Sequence, residues 1–114
     1  MAVSGSESTG LSEVQVQAIR EELEEQLEWR NSQLKELRAV VDTGGAEDTA
    51  RLAVLNDIAA TEQAVRELEA TLERLKDGTY GRCDDCGSAI PFNRLKIRPL
   101  ARYCINCQRR HEVR

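Results

Sequence analysis

Large aromatic side chains are scarce here: one Trp, two Tyr and one Phe in 114 residues. A chain of this length with so few rings cannot fill a large aromatic core. Prolines number two and the charged fraction is 32%, which points to long helices whose apolar content lies in a narrow stripe. No segment approaches the roughly 20 consecutive apolar residues of a membrane-spanning helix, so no membrane partner is expected. The first ten residues, Met1 to Gly10, are small and polar apart from Met1 and Val3 and carry a single charge, Glu7. They lack the apolar centre of an export signal. A flexible N-terminal tail over 1–10 and a soluble, cytoplasmic chain with reduced thiols follow as expectations. No set of nucleophile, base and orienting group competes for attention, so no enzyme is expected.

What is present divides the chain in two. Residues 1–77 hold 17 acidic and 8 basic side chains, a net of -9, whereas residues 78–114 hold 8 basic and 3 acidic, a net of +5. The acidic part reads as two helices. Ser12 can cap the first, Gln15 can complete a capping box and Leu11 can pack on Val16. Its apolar positions, Val16, Ile19, Leu23, Leu27, Leu34, Leu37 and Val41, recur at spacings of three and four, with a stutter where Arg30 interrupts the seam. The turn formers Asp42-Thr43-Gly44-Gly45 end it. A second seam starts near Asp48 and runs through Val54, Ile58, Thr61, Val65, Leu68, Leu72 and Leu75 in a regular heptad pattern. Lys76-Asp77-Gly78 closes it with a basic last turn and a glycine beyond. Two stripes joined by so short a turn bury each other best as an antiparallel hairpin of one monomer, over 11–77 with its tip at 42–50. Trp29 is expected to be a partly buried flank of that hairpin.

After Gly78 the heptads stop and a cysteine pattern begins, Cys83-x-x-Cys86 and Cys104-x-x-Cys107 with 17 residues between the pairs. That spacing lies within the window of zinc sites. Each pair delivers two sulfurs to one side of a turn, and four thiolates fill a tetrahedral ion with no position left for water. The ligand set Cys83, Cys86, Cys104 and Cys107 therefore describes a structural Zn2+ site. Disulfides fit a reducing compartment poorly, and a thioredoxin-like site expects one such motif on a βαβ scaffold. One zinc with four thiolates leaves a formal charge near -2, which Arg82, Arg94, Arg98 or Arg102 is placed to offset. His111 reads as a solvated side chain in a short terminal helix. Ile90, Phe92, Leu95, Ile97, Leu100 and Tyr103 form a core too modest to fold without the metal. The fold class is mainly α: an antiparallel coiled-coil hairpin, then a four-cysteine zinc finger over 78–114 with a short terminal helix.

At this point the chain resembles the DksA/TraR family of bacterial zinc-finger transcription regulators. The likeness rests on the hairpin followed by Tyr80-Gly81-Arg82-Cys83-Asp84-Asp85-Cys86-Gly87, then Arg94-Leu95-Lys96-Ile97-Arg98-Pro99, then Cys104-Ile105-Asn106-Cys107. It implies a regulator that binds RNA polymerase directly and inserts its coiled-coil tip into the secondary channel, modulating initiation with no sequence-specific DNA binding. Family tips carry an Asp-x-x-Asp-x-Ala pattern. Gly45-Ala46-Glu47-Asp48-Thr49-Ala50 matches its second half, with Gly45 in place of the first Asp, so the resemblance assigns the polymerase-binding tip to Asp48, Thr49 and Ala50. Asp48 also reads as a helix N-cap. Arg94, Lys96 and Arg98 make a candidate basic docking surface at the other end. Some relatives bind guanosine tetraphosphate near the finger. Arg98 is retained in that pattern, whereas Gln108 and Glu67 stand where lysines would, so two phosphate-neutralising cations are absent and that ligand is weakly supported.

Two rival functions stay in view. The +5 segment suits a zinc-ribbon nucleic-acid-binding protein, although no groove-entering helix or stacked aromatic set accompanies it. Oxidation of the thiolates would instead make the finger a redox sensor.

Overall fold

The computed structural model describes residues 10–44 and 48–113. Among the described residues there are four helices: α1 (Glu13–Asp42), α2 (Asp48–Asp77), α3 (Phe92–Ile97) and α4 (Ile105–Glu112). No strand occurs among the described residues beyond an isolated antiparallel bridge between Arg82 and Ala89. The expected tail, apart from Gly10, and the tip residues Gly45, Ala46 and Glu47 lie outside the described residues.

The start of α1 follows its sequence signal. Ser12 Oγ accepts from the Gln15 amide at 3.1 Å, and Gln15 Oε1 accepts from the Ser12 amide at 3.0 Å. The reciprocal pair satisfies two amides near the helix start, where no intrahelical acceptor exists. Leu11 is buried in the same cluster that Val16 packs against.

Along the hairpin, the two seams face each other as the heptads predict. Ile19, Leu23 and Leu34 of α1 are buried, with Val16, Leu27, Leu37 and Val41 half-buried. Thr61, Leu68 and Leu75 of α2 are buried, with Val54, Ile58, Val65 and Leu72 half-buried. Two buried hydroxyls need internal partners and find them one turn back, Thr61 on the Asp57 carbonyl at 2.8 Å and Thr71 on the Glu67 carbonyl at 2.7 Å. At the stutter Arg30 is half-buried and donates to Gln33 Oε1 at 3.1 Å. Trp29 departs from expectation, being 60% exposed. Arg30 takes the inward-leaning position beside it, and the Arg30 guanidinium sits 5.1 Å from the indole centroid, a cation–π pair formed outside the seam.

The end of α2 sets the path into the finger. Gly78 takes φ +84°, a left-handed conformation that costs glycine nothing. That turn lets the Thr79 amide reach back to the Arg74 carbonyl at 3.0 Å, closing the helix as a Schellman-type cap. Asp77 fixes the same turn, accepting from the Thr79 amide at 3.1 Å and its hydroxyl at 2.7 Å. Tyr80 then enters the core and donates to the Pro99 carbonyl at 2.7 Å. Burial raises its pKa well above the usual phenol range, which keeps that donor protonated.

The buried cluster joins the lower hairpin to the finger. Leu23, Leu68, Ile90, Leu95 and Cys107 are its most enclosed members, and Leu11, Ile19, Leu75, Tyr80 and Cys83 complete it. Ile97, expected in this core, is instead 80% exposed. The six-residue α3 turns Leu95 inward, and two residues further along a helix the side chain points away from that face. The molecule is elongated, 58 × 35 × 19 Å.

Candidate metal centre

Two arms bring the four sulfurs together. The first is a tight loop closed by backbone pairing, with the Ile90 amide on the Gly81 carbonyl at 2.7 Å and the Cys83 amide on the Ser88 carbonyl at 2.8 Å. Gly87 turns it with φ +76° while its amide bonds the Cys83 carbonyl at 3.0 Å. The second arm is the start of α4. Cys104 is its N-cap residue, in extended conformation, and Cys107 lies in the first turn, so a three-residue step puts both on one face.

The resulting cluster fits zinc. All four Sγ atoms lie within 4.8 Å of one another, and Cys86 and Cys104 approach to 3.8 Å. A tetrahedral Zn–S distance of about 2.3 Å gives sulfur–sulfur edges of about 3.8 Å. All four cysteines are free thiols, Cys83 and Cys107 buried, Cys104 half-buried and Cys86 exposed. Zinc held by these residues would supply a fixed tetrahedral cross-link between the two arms.

Without metal the thiols are unequal. Burial works to raise the Cys83 pKa, but hydrogen bonds from the backbone of Cys86, Cys104 and Asp85 outweigh it and bring the group to about 6. Hydrogen bonds from Ser88 lower that of Cys86. Cys107 is pushed up to about 12, first by burial and then by its cysteine neighbours. The lowered Cys83 thiol favours thiolate near neutral pH, and zinc bound here would displace a proton from Cys107.

The surrounding charges only partly follow expectation. None of the four arginines named for charge compensation donates to a sulfur among the described contacts: Arg82 bonds the Gly87 carbonyl at 2.8 Å, Arg94 the Tyr103 carbonyl at 3.3 Å and Arg102 pairs with Asp84 at 2.8 Å. Arg110 is the residue that reaches a ligand, its Nη2 lying 2.9 Å from Cys107 Sγ. The signal was available, since Arg110 follows Cys107 by three positions on a helix. His111 is not merely solvated. Its Nε2 lies 2.6 Å from Asp85 Oδ2, and its ring packs on Tyr103 with centroids 4.4 Å apart. Both spacer residues of the first knuckle, Asp84 and Asp85, are thus tied to the second arm.

The remaining predicted residues separate into two places. Arg94, Lys96 and Arg98 lie on and just after α3, with Arg94 half-buried and the other two exposed. Asp48 begins α2, and Thr49 and Ala50 are exposed in its first turn. The structure does not bring these two groups together; the hairpin separates them.

This arrangement has known counterparts. Residues 78–113 match the prokaryotic dksA/traR C4-type zinc finger. Beyond the finger, the whole architecture superposes on the solved structure of transcription factor DksA2 from Pseudomonas aeruginosa with a TM-score of 0.81, covering 89% of this chain and 85% of that one at 25% identity. Residues 78–113 thus carry the finger of the dksA/traR C4 type, and the chain as a whole shares the fold of DksA2. In sequence, it is similar to an uncharacterized protein of Aquifex aeolicus, 38% identical over 87 residues, covering 75% of this chain and 59% of that one. It is also similar to the RNA polymerase-binding transcription factor DksA of Haemophilus influenzae, 42% identical over 50 residues, covering 44% of this chain and 34% of that one. The chain thus spans between about a third and three-fifths of the length of these relatives. No described helix is long and apolar enough to cross a membrane.

Proposed function

We propose that this chain is a non-enzymatic transcription regulator that binds RNA polymerase directly in the cytoplasm as a monomer, with its coiled-coil tip entering the secondary channel to modulate initiation. The observation that carries this reading is the pairing of a long, narrow hairpin with a metal-braced base, the architecture shared with DksA2. Each helix of the hairpin has 30 residues, or roughly 45 Å at the standard rise. A probe of that length and width reaches into a channel while its base stays outside. Asp48, Thr49 and Ala50 begin α2 at the far end from the cysteines, which suits a contact near a catalytic centre. Arg94, Lys96 and Arg98 suit docking at the channel mouth. The relatives named as RNA polymerase-binding factors support polymerase as the partner. Guanosine tetraphosphate is a weaker part of the reading, because Glu67 and Gln108 supply no cations beside Arg98.

The test compares wild type with Asp48→Asn in binding to core RNA polymerase and in a promoter-initiation assay. The expected result is binding within about threefold of wild type with the transcriptional effect reduced at least tenfold, since a distal carboxylate adds little to a docking energy supplied by the base. Absence of wild-type binding at low salt would refute polymerase as the partner.

A further inference from the structure

The four sulfurs are not equally reachable. Cys83 and Cys107 are buried, Cys104 is half-buried and Cys86 is exposed, so the tetrahedron they frame has a closed side and an open one. Cys86 and Cys104, 3.8 Å apart, make the open edge. A groove of about 740 Å³ runs along it, and Cys86, Cys104 and Cys107 are among its walls whereas Cys83 is not. Beside Cys86, a Cβ at Gly87 would meet nothing within 4 Å, so approach from that side is unobstructed. The groove also carries charge of one sign, lined by Arg94, Arg98 and Arg110 with no carboxylate. Arg94 and Arg110 are engaged, on the Tyr103 carbonyl at 3.3 Å and on Cys107 Sγ at 2.9 Å, and Arg98 is exposed. The knuckle bearing Cys86 has other attachments to the second arm: Asp84 pairs with Arg102 at 2.8 Å and Asp85 with His111 at 2.6 Å. Detaching the Cys86 sulfur alone would leave those in place.

We propose that this groove binds a small anionic thiol, one that carries carboxylates as well as a sulfhydryl, and that the thiol takes the place of Cys86 on bound zinc. Nothing in this depends on polymerase as a partner. Soft thiolate is the donor the site already uses, and zinc has no electronic preference against a fifth ligand in passing. The arginines select the anionic thiol, because they concentrate carboxylates beside the exposed sulfur and can bind them with paired hydrogen bonds. The exchange is redox-neutral. One zinc–sulfur bond forms to the incoming sulfur, the bond to Cys86 breaks, and the proton of the incoming thiol passes to the Cys86 sulfur. Cys83, Cys104 and Cys107 stay bound, so the finger becomes open to metal exchange without unfolding.

The experiment follows zinc transfer from the loaded full chain to a chromophoric chelator, without oxygen, at equal thiolate concentrations of reduced glutathione, an anionic thiol, or cysteamine, a cationic one. Glutathione is expected to speed transfer at least about tenfold and to saturate, and cysteamine less than about threefold, because the arginines attract one and repel the other. S-Methylglutathione, which keeps the carboxylates and lacks a free thiol, is expected to give no acceleration. Arg98→Gln, checked for native zinc content and helicity, is expected to lose at least about fivefold of the glutathione effect with the cysteamine rate unchanged, since one rim cation is gone and all four ligands remain. Brief alkylation with iodoacetamide during transfer, read by mass spectrometry, is expected to mark Cys86 first. Equal acceleration by the two thiols overturns the inference, as does an Arg98→Gln chain that responds like wild type. First alkylation at any of the other three cysteines overturns the order of release. Equal acceleration by glutathione disulfide would make the step an oxidation and overturn it as well.

Discussion

The base and the tip half of the molecule are built from the same two helices, yet they are held by different means. At the base, Leu23 and Leu68 meet Ile90, Leu95 and the cysteines of the finger, so each helix is covered by its partner and by a third layer. Toward the tip only the facing helix remains. Val54 and Ile58 stay half-buried, and Leu52 and Leu55 are 60% and 41% exposed. Two helices in contact along one stripe bury little surface per residue, whereas a third element closes the core. The base is therefore the stable anchor and the tip the part whose side chains remain available for a partner.

The largest expected effect comes from removing the metal that organises the base. Chelation, or Cys107→Ser, should unfold residues 78–113 and lower the melting temperature by more than about 15 °C, because zinc binding is folding free energy for a finger this small. Thermal melts followed by circular dichroism, with zinc content measured in parallel, check this; an unchanged melt after complete zinc loss would show the core sufficient alone. The same site predicts a pH dependence. Cys83, lowered to about 6, is already a thiolate at neutral pH, whereas Cys107, raised to about 12, must give up a proton to bind zinc. Zinc affinity should fall as pH falls, and fall more steeply below about pH 6, where a proton on Cys83 must also be displaced. A chelator-competition titration across that range reads the change of slope.

Next in size is a direct comparison of the two halves. Leu23→Ala opens a cavity at a fully buried position and should cost about 2–5 kcal/mol. Ile58→Ala, at a half-buried position nearer the tip, should cost less than about 2 kcal/mol, since water and neighbouring side chains can close over the gap. Urea unfolding of both variants decides it. Equal losses would mean that the hairpin is uniformly stabilised along its length.

The features legible in the sequence are those governed by local spacing. Ser12 and Gln15 announce the start of α1 and Gly78 the end of α2, and the heptads pick out the seam from Val16 to Leu75 but not the buried Thr71. Paired Cys-x-x-Cys turns named four ligands that do converge. What escaped depends on packing between segments distant in sequence. Ile97 reads as a core residue by its apolar side chain, but it stands two positions beyond the inward-facing Leu95 on α3 and so turns outward. Trp29, off the main seam, reads as a partly buried flank, yet it is exposed and Arg30 takes the place beside the seam. His111 finds Asp85 only because the second arm folds back onto the first knuckle, a contact 26 positions apart that no local pattern encodes. The Arg110 contact with Cys107 was readable from helical spacing and marks where charge compensation acts.

That contact gives a smaller, more local test of the base. Arg110→Ala removes the guanidinium from Cys107 Sγ while leaving all four ligands. Arg110 is itself exposed, so solvent screens much of the interaction. Zinc release to a chelator should accelerate about threefold to tenfold, less than the roughly 10–100-fold typical when a partner of a metal ligand is removed, because this one is solvent-screened, with the melting temperature of the zinc-loaded chain nearly unchanged. Arg110→Lys should recover part of the difference, because it keeps the charge and loses the planar donor. A release rate unaffected by both would mean that the guanidinium contact plays no part in holding the metal.

The smallest effect should lie in the tip half. Arg38 of α1 pairs with Glu62 of α2 across the hairpin, but both side chains remain substantially in solvent, 55% and 36% exposed. Such a pair gains little over its separate hydration, so Glu62→Gln should change stability by less than about 0.5 kcal/mol, and added salt should shrink even that. Replacing the same bridge with two well-packed leucines would be expected to stabilise the tip more than the ion pair does. If Glu62→Gln instead cost as much as Ile58→Ala, electrostatics rather than the apolar seam would be holding the far half of the hairpin. The contrast between a packed base and a thinly packed tip would then need a second term, one sensitive to ionic strength along the acidic length of the coil.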